Sequence, residues 1–416
     1  MLRAEPLRID TVVIGGGHAG LAVSRCLNDR RIDHVVLERA EIANSWKTER
    51  WNSLRLLTPN WQSRLPGFSY DGGDPNGFMK LPEVINFIER YAEYISVPIE
   101  LATNVTEVYR KGNGYQITTN RGSWICRSLV LATGACNVAN VPPFASSIPP
   151  SINALTPMTY QTPDELVDGG VLIVGASATG IQLAYEIQNS GRPVTLSVGE
   201  HVRMPRTYRD RDILWWMDVT GISDESYTEV DDIHRARNLP SPQLTGSLKQ
   251  PLLDLNTLCM LGVKIVGRLV GITDSKAQFS GSLKNNCKLA DLKMNRLLKT
   301  IDDWASNHHL DHKLEPSHRF QPTAVEATPS LELELSKNQI GTIVWSTGFR
   351  PDYSWLKLPV FDHKGKIRHD GGIVESPGMY LVGMNFLRRR KSSFIHGVED
   401  DARELSDHLM KYLARC

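Results

Sequence analysis

Two glycine-rich runs carry residue types that could do chemistry. The first is Gly15-Gly16-Gly17-His18-Ala19-Gly20. It follows the apolar, β-branched run Ile9-Asp10-Thr11-Val12-Val13-Ile14 and precedes Leu21-Ala22-Val23-Ser24-Arg25-Cys26-Leu27, whose apolar residues fall at helical spacing. Strand, Gly-x-Gly-x-x-Gly turn and helix, in that order, form a cradle for phosphates. Gly15 permits the tight turn, Gly17 lets the backbone approach a pyrophosphate, and Gly20 lets the helix pack on the strand. The helix N-terminus, with His18 and Ala19 in the turn, faces the anion. A second strand, His34-Val35-Val36-Leu37, ends at Glu38, 18 residues after Gly20. An acid near that spacing bonds a ribose hydroxyl, so the chemistry implied is dinucleotide binding.

The pattern recurs. Gly170-Val171-Leu172-Ile173-Val174 leads into Gly175-Ala176-Ser177-Ala178-Thr179-Gly180 and a helix from Ile181 to Ile187. Ser177 replaces the middle glycine and is small enough for close approach. The next strand, Pro193 to Val198, has Ser197 where the first unit has its acid, and Arg203 and Arg206 follow. A missing acid with added arginines favours a 2′-phosphate, hence NADPH over NADH. The alternative reading makes these arginines solvated loop charges. The acid-terminated first site suits the adenosine of FAD. Two apolar strands ending in Ala132-Thr133-Gly134 and Ser346-Thr347-Gly348 have small residues where backbone could meet a cofactor, and each marks an expected crossing between domains.

The elements that must position these runs fit a chain of 416 residues. Such a length implies two or three domains, or one inserted in another. The expected class is α/β, with two Rossmann-like dinucleotide-binding domains. A first, FAD-binding part covers residues 1–160. An NADPH-binding domain with an irregular insertion covers 161–329. The second FAD part covers 330–416. Lys plus Arg number 47 and Asp plus Glu 46, which argues against a nucleic-acid partner. Six scattered cysteines show no Cys-x-x-Cys and no zinc spacing, so no metal is expected and the thiols read as reduced and mostly buried. Residues 1–10 have no apolar signal core, and no stretch reaches the ~18 apolar residues that span a bilayer. A cytoplasmic protein without a membrane partner is expected.

Beyond the two turns, further segments carry a resemblance. They are Ser45-Trp46, Arg50 through Pro59, Arg203-Met204-Pro205-Arg206 with Arg209 to Asp212, Ser346 through Asp352, Pro377 through Gly383, and Arg389-Arg390-Lys391-Ser392-Ser393. With these, the sequence resembles the flavin-containing monooxygenase superfamily, including plant YUCCA-type and bacterial single-component relatives. The resemblance covers most of residues 9–210 and 340–412. Thr156 stands where the family's identifying stretch has a His. Leu57 or Thr58 stands where animal-type enzymes have a flavin-proximal Asn, closer to the YUCCA-like pattern.

The resemblance implies a glutathione-reductase-like fold, FAD, NADPH, molecular oxygen and a small organic substrate oxygenated through a C4a-(hydro)peroxyflavin. It places Gly15, Gly17, Gly20, Glu38, Arg39, Ser45, Trp46 and Val105 on the FAD adenosine and diphosphate side. Arg55, Leu56 and Thr58 approach the flavin, and Thr133 and Gly134 close over it. Gly383 and Ile395 meet the FAD near the C-terminus. Gly175, Ser177, Ala178, Thr179, Gly180, Ser197, Arg203, Arg206, Thr347 and Gly348 serve the second nucleotide. Thr58 and His396 are the candidate catalytic residues, with His396 read as either a proton donor or a capping or core residue. Trp215-Trp216-Met217 reads as tunnel lining or core. The rival function is a non-oxygenating FAD/NAD(P)H reductase on the same fold; a non-enzymatic nucleotide sensor is a third.

Overall fold

A computed structural model describes residues 5–248, 252–336 and 339–415. Cys416 therefore lies outside the described residues. Strand β1 (Leu7–Ile14) runs into helix α1 (His18–Asp29) and strand β2 (His34–Leu37). Strands β3 (Ile99–Glu100) and β4 (Gly122–Leu131) follow. The second unit begins with β5 (Asn153–Leu155), β6 (Gly170–Val174), helix α2 (Ala178–Asn189), β7 (Val194–Val198) and helix α3 (Ile213–Val219). Then come β8 (Lys264–Gly267), the long helix α4 (Leu283–Asn307) and β9 (Ile340–Trp345). Strand β10 (Met379–Leu381) and helix α5 (Val398–Leu413) close the chain.

The strands named form the parallel cores of two sheets of matching order, the first of which also carries antiparallel strands. In the first, β10-β4-β1-β2-β3 lie side by side; in the second, β5-β9-β6-β7-β8. All four contacts of the second sheet are parallel. Its central strands β6, β7 and β9 are buried along their whole length, as a parallel sheet covered on both faces requires. Each central strand, β1 or β6, has on one side the strand ending in a Thr-Gly pair. The architecture is the mixed α/β arrangement expected, with one correction. Asn153–Leu155 and Ile340–Trp345 both pair inside the second sheet, so the crossings lie outside the 161–329 span read from the sequence. Apolar periodicity cannot say which sheet a buried strand joins.

Packing follows the same logic. Helix α5 buries Val398, Ala402, Leu405 and Leu409 in the core of the first sheet. Helices α3 and α4 make a small core of their own: Trp216, fully buried, packs with Met204, Tyr208, Met294 and Leu298, and its indole N–H donates to the Tyr208 carbonyl. Trp216 is therefore core rather than tunnel lining. The described residues 220–248 are irregular apart from a 3-10 turn at Ile222–Asp224, a short helix at Ile233–Arg237 and the pairing of Pro242–Gln243 with Val202–Arg203.

The glycine turns depend on absent side chains. Gly15 and Gly175 adopt φ of +113° and +107°. A Cβ on Gly20 would lie 1.9 Å from the Gly15 carbonyl oxygen, and one on Gly180 would lie 1.8 Å from that of Gly175. Such contacts force the helix off the strand. Gly180→Ala is therefore expected to destabilise the protein by about 1–3 kcal/mol or more, as overpacked cores do. Denaturant unfolding followed by circular dichroism checks this; an unchanged midpoint would contradict it.

Candidate functional site

At the carboxyl edge of the first sheet lies a cavity of about 370 Å³. Gly15, Gly17, His18 and Ala19 form its floor. A Cβ on Gly17 would meet nothing within 4 Å, so the turn opens on free space. No side chain caps the first turn of α1, and no acid occupies it. Its amide groups are available to an anion. Glu38 stands at the end of β2 with its carboxylate fixed: Oε2 accepts from the Gly16 amide at 2.7 Å and Oε1 from the Ala40 amide at 3.1 Å. Both bonds leave acceptor capacity for ribose hydroxyls. His18 Nε2 is buried with no hydrogen-bond partner among the described residues, and burial pushes the imidazole down to about 4. A dinucleotide's sugar and diphosphate fit this donor set.

Of the residues expected around the first nucleotide, Arg39, Ser45, Trp46, Val105, Thr133, Gly134 and Gly383 also line the cavity. Gly20 does not; it serves the helix–strand contact. Arg55, Leu56, Thr58 and Ile395 lie outside the lining, and Leu56 and Ile395 belong to the hydrophobic core. Sequence reasoning missed Asn104, Cys136, Asn137, Asp352, Trp355 and Ser393. Asn137 and Asp352 are joined, the Asp352 amide donating to Asn137 Oδ1 at 3.1 Å. No local pattern pairs residues so far apart in sequence.

The second turn is built alike. Ser177 precedes α2, whose first turn again lacks a side-chain cap and an acid. Ala178, Thr179 and Gly180 make up that first turn. Gly348, at φ +89°, and Thr347, whose hydroxyl donates to the Asn140 carbonyl, follow β9 beside it. Three expectations require correction here. The Ser197 hydroxyl donates to the Gly267 carbonyl at 3.0 Å and accepts from the Leu269 amide at 2.9 Å, so it ties β7 to β8 instead of facing a ribose. Arg203 is 2% exposed and grips Asp254 at 2.6 Å and Asp291 at 2.7 Å. Arg206 is 1% exposed; it pairs with Asp212 at 2.6 Å and donates to the Leu57 carbonyl at 2.7 Å. Neither arginine is open to a phosphate, and neither is a solvated loop charge. Both are structural fasteners of the second unit.

The second turn is connected to the segment that carries Thr58. Gln243 donates to the Ala176 carbonyl at 2.8 Å, inside the second glycine turn. Three residues on, a Cβ on Gly246 would lie 2.4 Å from the Leu56 carbonyl oxygen and 2.7 Å from Arg55 Cβ. Residues 243–246 thus bridge the second cradle to the segment carrying Thr58.

His396 sits just ahead of α5, 3% exposed, with both ring nitrogens unpartnered. Gln62 donates to Asp218 at 2.9 Å, while Gln62 Oε1 and Ser63 Oγ are buried without partners among the described residues. Burial pushes His396 down to about 4, outweighing the opposing influence of Asp218. A neutral imidazole offers one donor and one acceptor, so at neutral pH His396 is not a charged acid.

With the geometry in place, comparison with known proteins is informative. Residues 12–214 match the pyridine nucleotide-disulphide oxidoreductase family model. The chain is 29% identical over 410 residues to an uncharacterized CzcO-like oxidoreductase of Geobacillus kaustophilus, covering 97% of this chain and 99% of that one. It is 28% identical over 205 residues to the indole-3-pyruvate monooxygenase YUCCA6 of Arabidopsis thaliana, spanning 47% of this chain and 49% of the relative. In fold it matches a flavin-containing monooxygenase from Stenotrophomonas maltophilia with a TM-score of 0.69 at 19% identity, over 98% of this chain and 99% of that one.

The chain is similar in sequence to these oxidoreductases and shares the fold of the flavin-containing monooxygenase.

The shared fold is the two-dinucleotide-domain architecture of flavoprotein oxidoreductases. Among the described residues, no helix is long and apolar enough to cross a membrane. Five cysteines are described and all are free; Cys26, Cys126 and Cys287 are buried, Cys136 half-buried and Cys259 exposed.

Two tests follow from these placements. Arg203→Ala leaves the buried Asp254 and the half-buried Asp291 without this cation and is expected to destabilise the fold by about 3–5 kcal/mol. Loss of NADPH affinity without loss of stability would contradict the fastener role. The second test concerns His18 and His396, whose folded pKa values fall from 6.5 to about 4. Their contribution to stability is complete above pH 6.5 and is lost as pH falls toward 4. The thermal midpoint should therefore drop between pH 7 and pH 5, and drop less in His396→Asn; parallel curves would count against burial as the cause.

Proposed function

We propose that the protein is an FAD-dependent monooxygenase that uses NADPH and molecular oxygen to oxygenate a small organic substrate. The observation that carries this reading is the contact, through residues 243–246, between the second glycine turn and the Arg55–Leu56 segment expected to approach the flavin. Two unlike nucleotide cradles, one acid-terminated and one acid-free, are useful together when electrons pass between their occupants. Bound FAD supplies the redox and oxygen chemistry; the protein supplies binding, orientation and a shielded site.

Each residue then has a task. The α1 amide groups and Gly17 hold the FAD diphosphate. Glu38 holds the adenosine ribose, and its own bonds to Gly16 and Ala40 fix it for that purpose. The α2 amide groups hold the NADPH diphosphate. Neutral His396, with no hydrogen-bond partner on either ring nitrogen among the described residues, offers one donor and one acceptor. Thr58 stays a weaker candidate, since it lies outside the cavity lining.

A reductase is the second reading, supported by the family model's own description. The free state of the described cysteines and the absence of Cys-x-x-Cys spacing favour oxygenation over disulfide chemistry.

Purified protein should carry a yellow flavin chromophore and oxidise NADPH in the presence of an amine, sulfide, indole, ketone or 2-oxo acid. Product mass should rise by one oxygen atom, or show oxidative decarboxylation. Glu38→Ala should weaken FAD retention about tenfold, since hydrogen bonds to charged groups contribute about 1.5–3 kcal/mol. NADPH oxidation with no oxygen incorporated into any product would favour the reductase.

A further inference from the structure

The geometry points to Arg268 as the residue that selects NADPH, by receiving the 2′-phosphate at the carboxyl edge of the second sheet. This rests on the NADPH reading above. In an acid-free cradle, a cation near the end of the second strand takes that phosphate. Arg203 and Arg206 are consumed by buried partners. Arg268 instead stands beside the correct strand end. Strand β8 pairs with β7 in parallel, Val198 opposite Gly267, so the next residues, Gly199 and Arg268, emerge together from the same edge. A Cβ on Gly199 would touch Arg268 Cγ, Cδ and Cβ at 3.6–3.8 Å; the arginine stem therefore runs alongside Gly199.

Its surroundings fix the backbone from which the side chain leaves, and leave the side chain open. Ser197 bonds both Gly267 and Leu269, clamping the backbone on either side of Arg268. The Arg268 carbonyl accepts from the Ser280 amide at 2.9 Å. The side chain is exposed, and among the described residues it makes no ion pair. The adjacent carboxylate, Glu200, pairs with Lys293 at 3.0 Å. A guanidinium carried on a fixed backbone matches the geometry of a phosphate monoester, which it can bind through two parallel N–H bonds. Arg268 thus acts on the cofactor's 2′ substituent and on nothing at the nicotinamide end.

The test compares 2′,5′-ADP with 5′-AMP by calorimetry on wild type, Arg268→Ala and Arg268→Lys, alongside NADPH and NADH kinetics. Arg268→Ala is expected to weaken 2′,5′-ADP and raise the NADPH KM on the order of tenfold, since charge-assisted hydrogen bonds are the strong ones. Its 5′-AMP affinity and NADH kcat/KM should stay within about twofold. Arg268→Lys should recover part of the 2′,5′-ADP affinity. Unchanged 2′,5′-ADP binding in Arg268→Ala would overturn the assignment. So would equal weakening of both ligands, which indicates stacking on adenine or a structural role. If wild type binds neither ligand and oxidises neither NADPH nor NADH, the NADPH reading itself fails, and the assignment with it.

Discussion

The structure depends on a helix that starts almost in contact with the strand before it. Gly20 and Gly180 each sit where a single added carbon would strike the carbonyl oxygen of the turn's first glycine. That approach aims the amide ends of α1 and α2 along the carboxyl edges of their sheets. It also fixes where each second strand must end, and so where Glu38 and Gly199 stand. A wider turn would separate amide donors from ribose-binding groups and leave no cradle of nucleotide size.

Around this shared device the two units diverge. The first uses a carboxylate positioned by backbone amides. The second has no such acid, and it spends its buried arginines on architecture. Arg203 gathers Asp254, which caps the helix at Leu255–Met260, and Asp291 on α4. Arg206 fastens α3 through Asp212 and reaches the Leu57 carbonyl of the other unit. These charges hold together the face that residues 243–246 cross toward Leu56.

What could be read from sequence was local. The glycine turns, Glu38, the helical stripe of Val398, Ala402, Leu405 and Leu409, and the long helix over α4 all follow from spacing within a few residues. What could not be read was set by distant partners. Arg203 follows an acid-free strand, yet its partners lie 51 and 88 residues along the chain. Arg268 is 71 residues past Ser197, and only the pairing of β7 with β8 makes them neighbours. The strands Asn153–Leu155 and Ile340–Trp345 lie outside the span 161–329 expected of the second domain yet pair in its sheet, for the same reason. In the cavity, Asn137 and Asp352 meet only after the chain has crossed to the second sheet and back. Burial, too, decided charge state: nothing in the string Ile395-His396-Gly397 shows that the imidazole is neutral.

The central claim is that one chain holds FAD and NADPH close enough for hydride transfer. Anaerobic rapid mixing of the purified flavoprotein with NADPH tests it directly. The oxidised-flavin absorbance should bleach in a single turnover, without any added substrate or second protein. An oxidised spectrum that persists under saturating NADPH and saturating NADH alike would contradict the account.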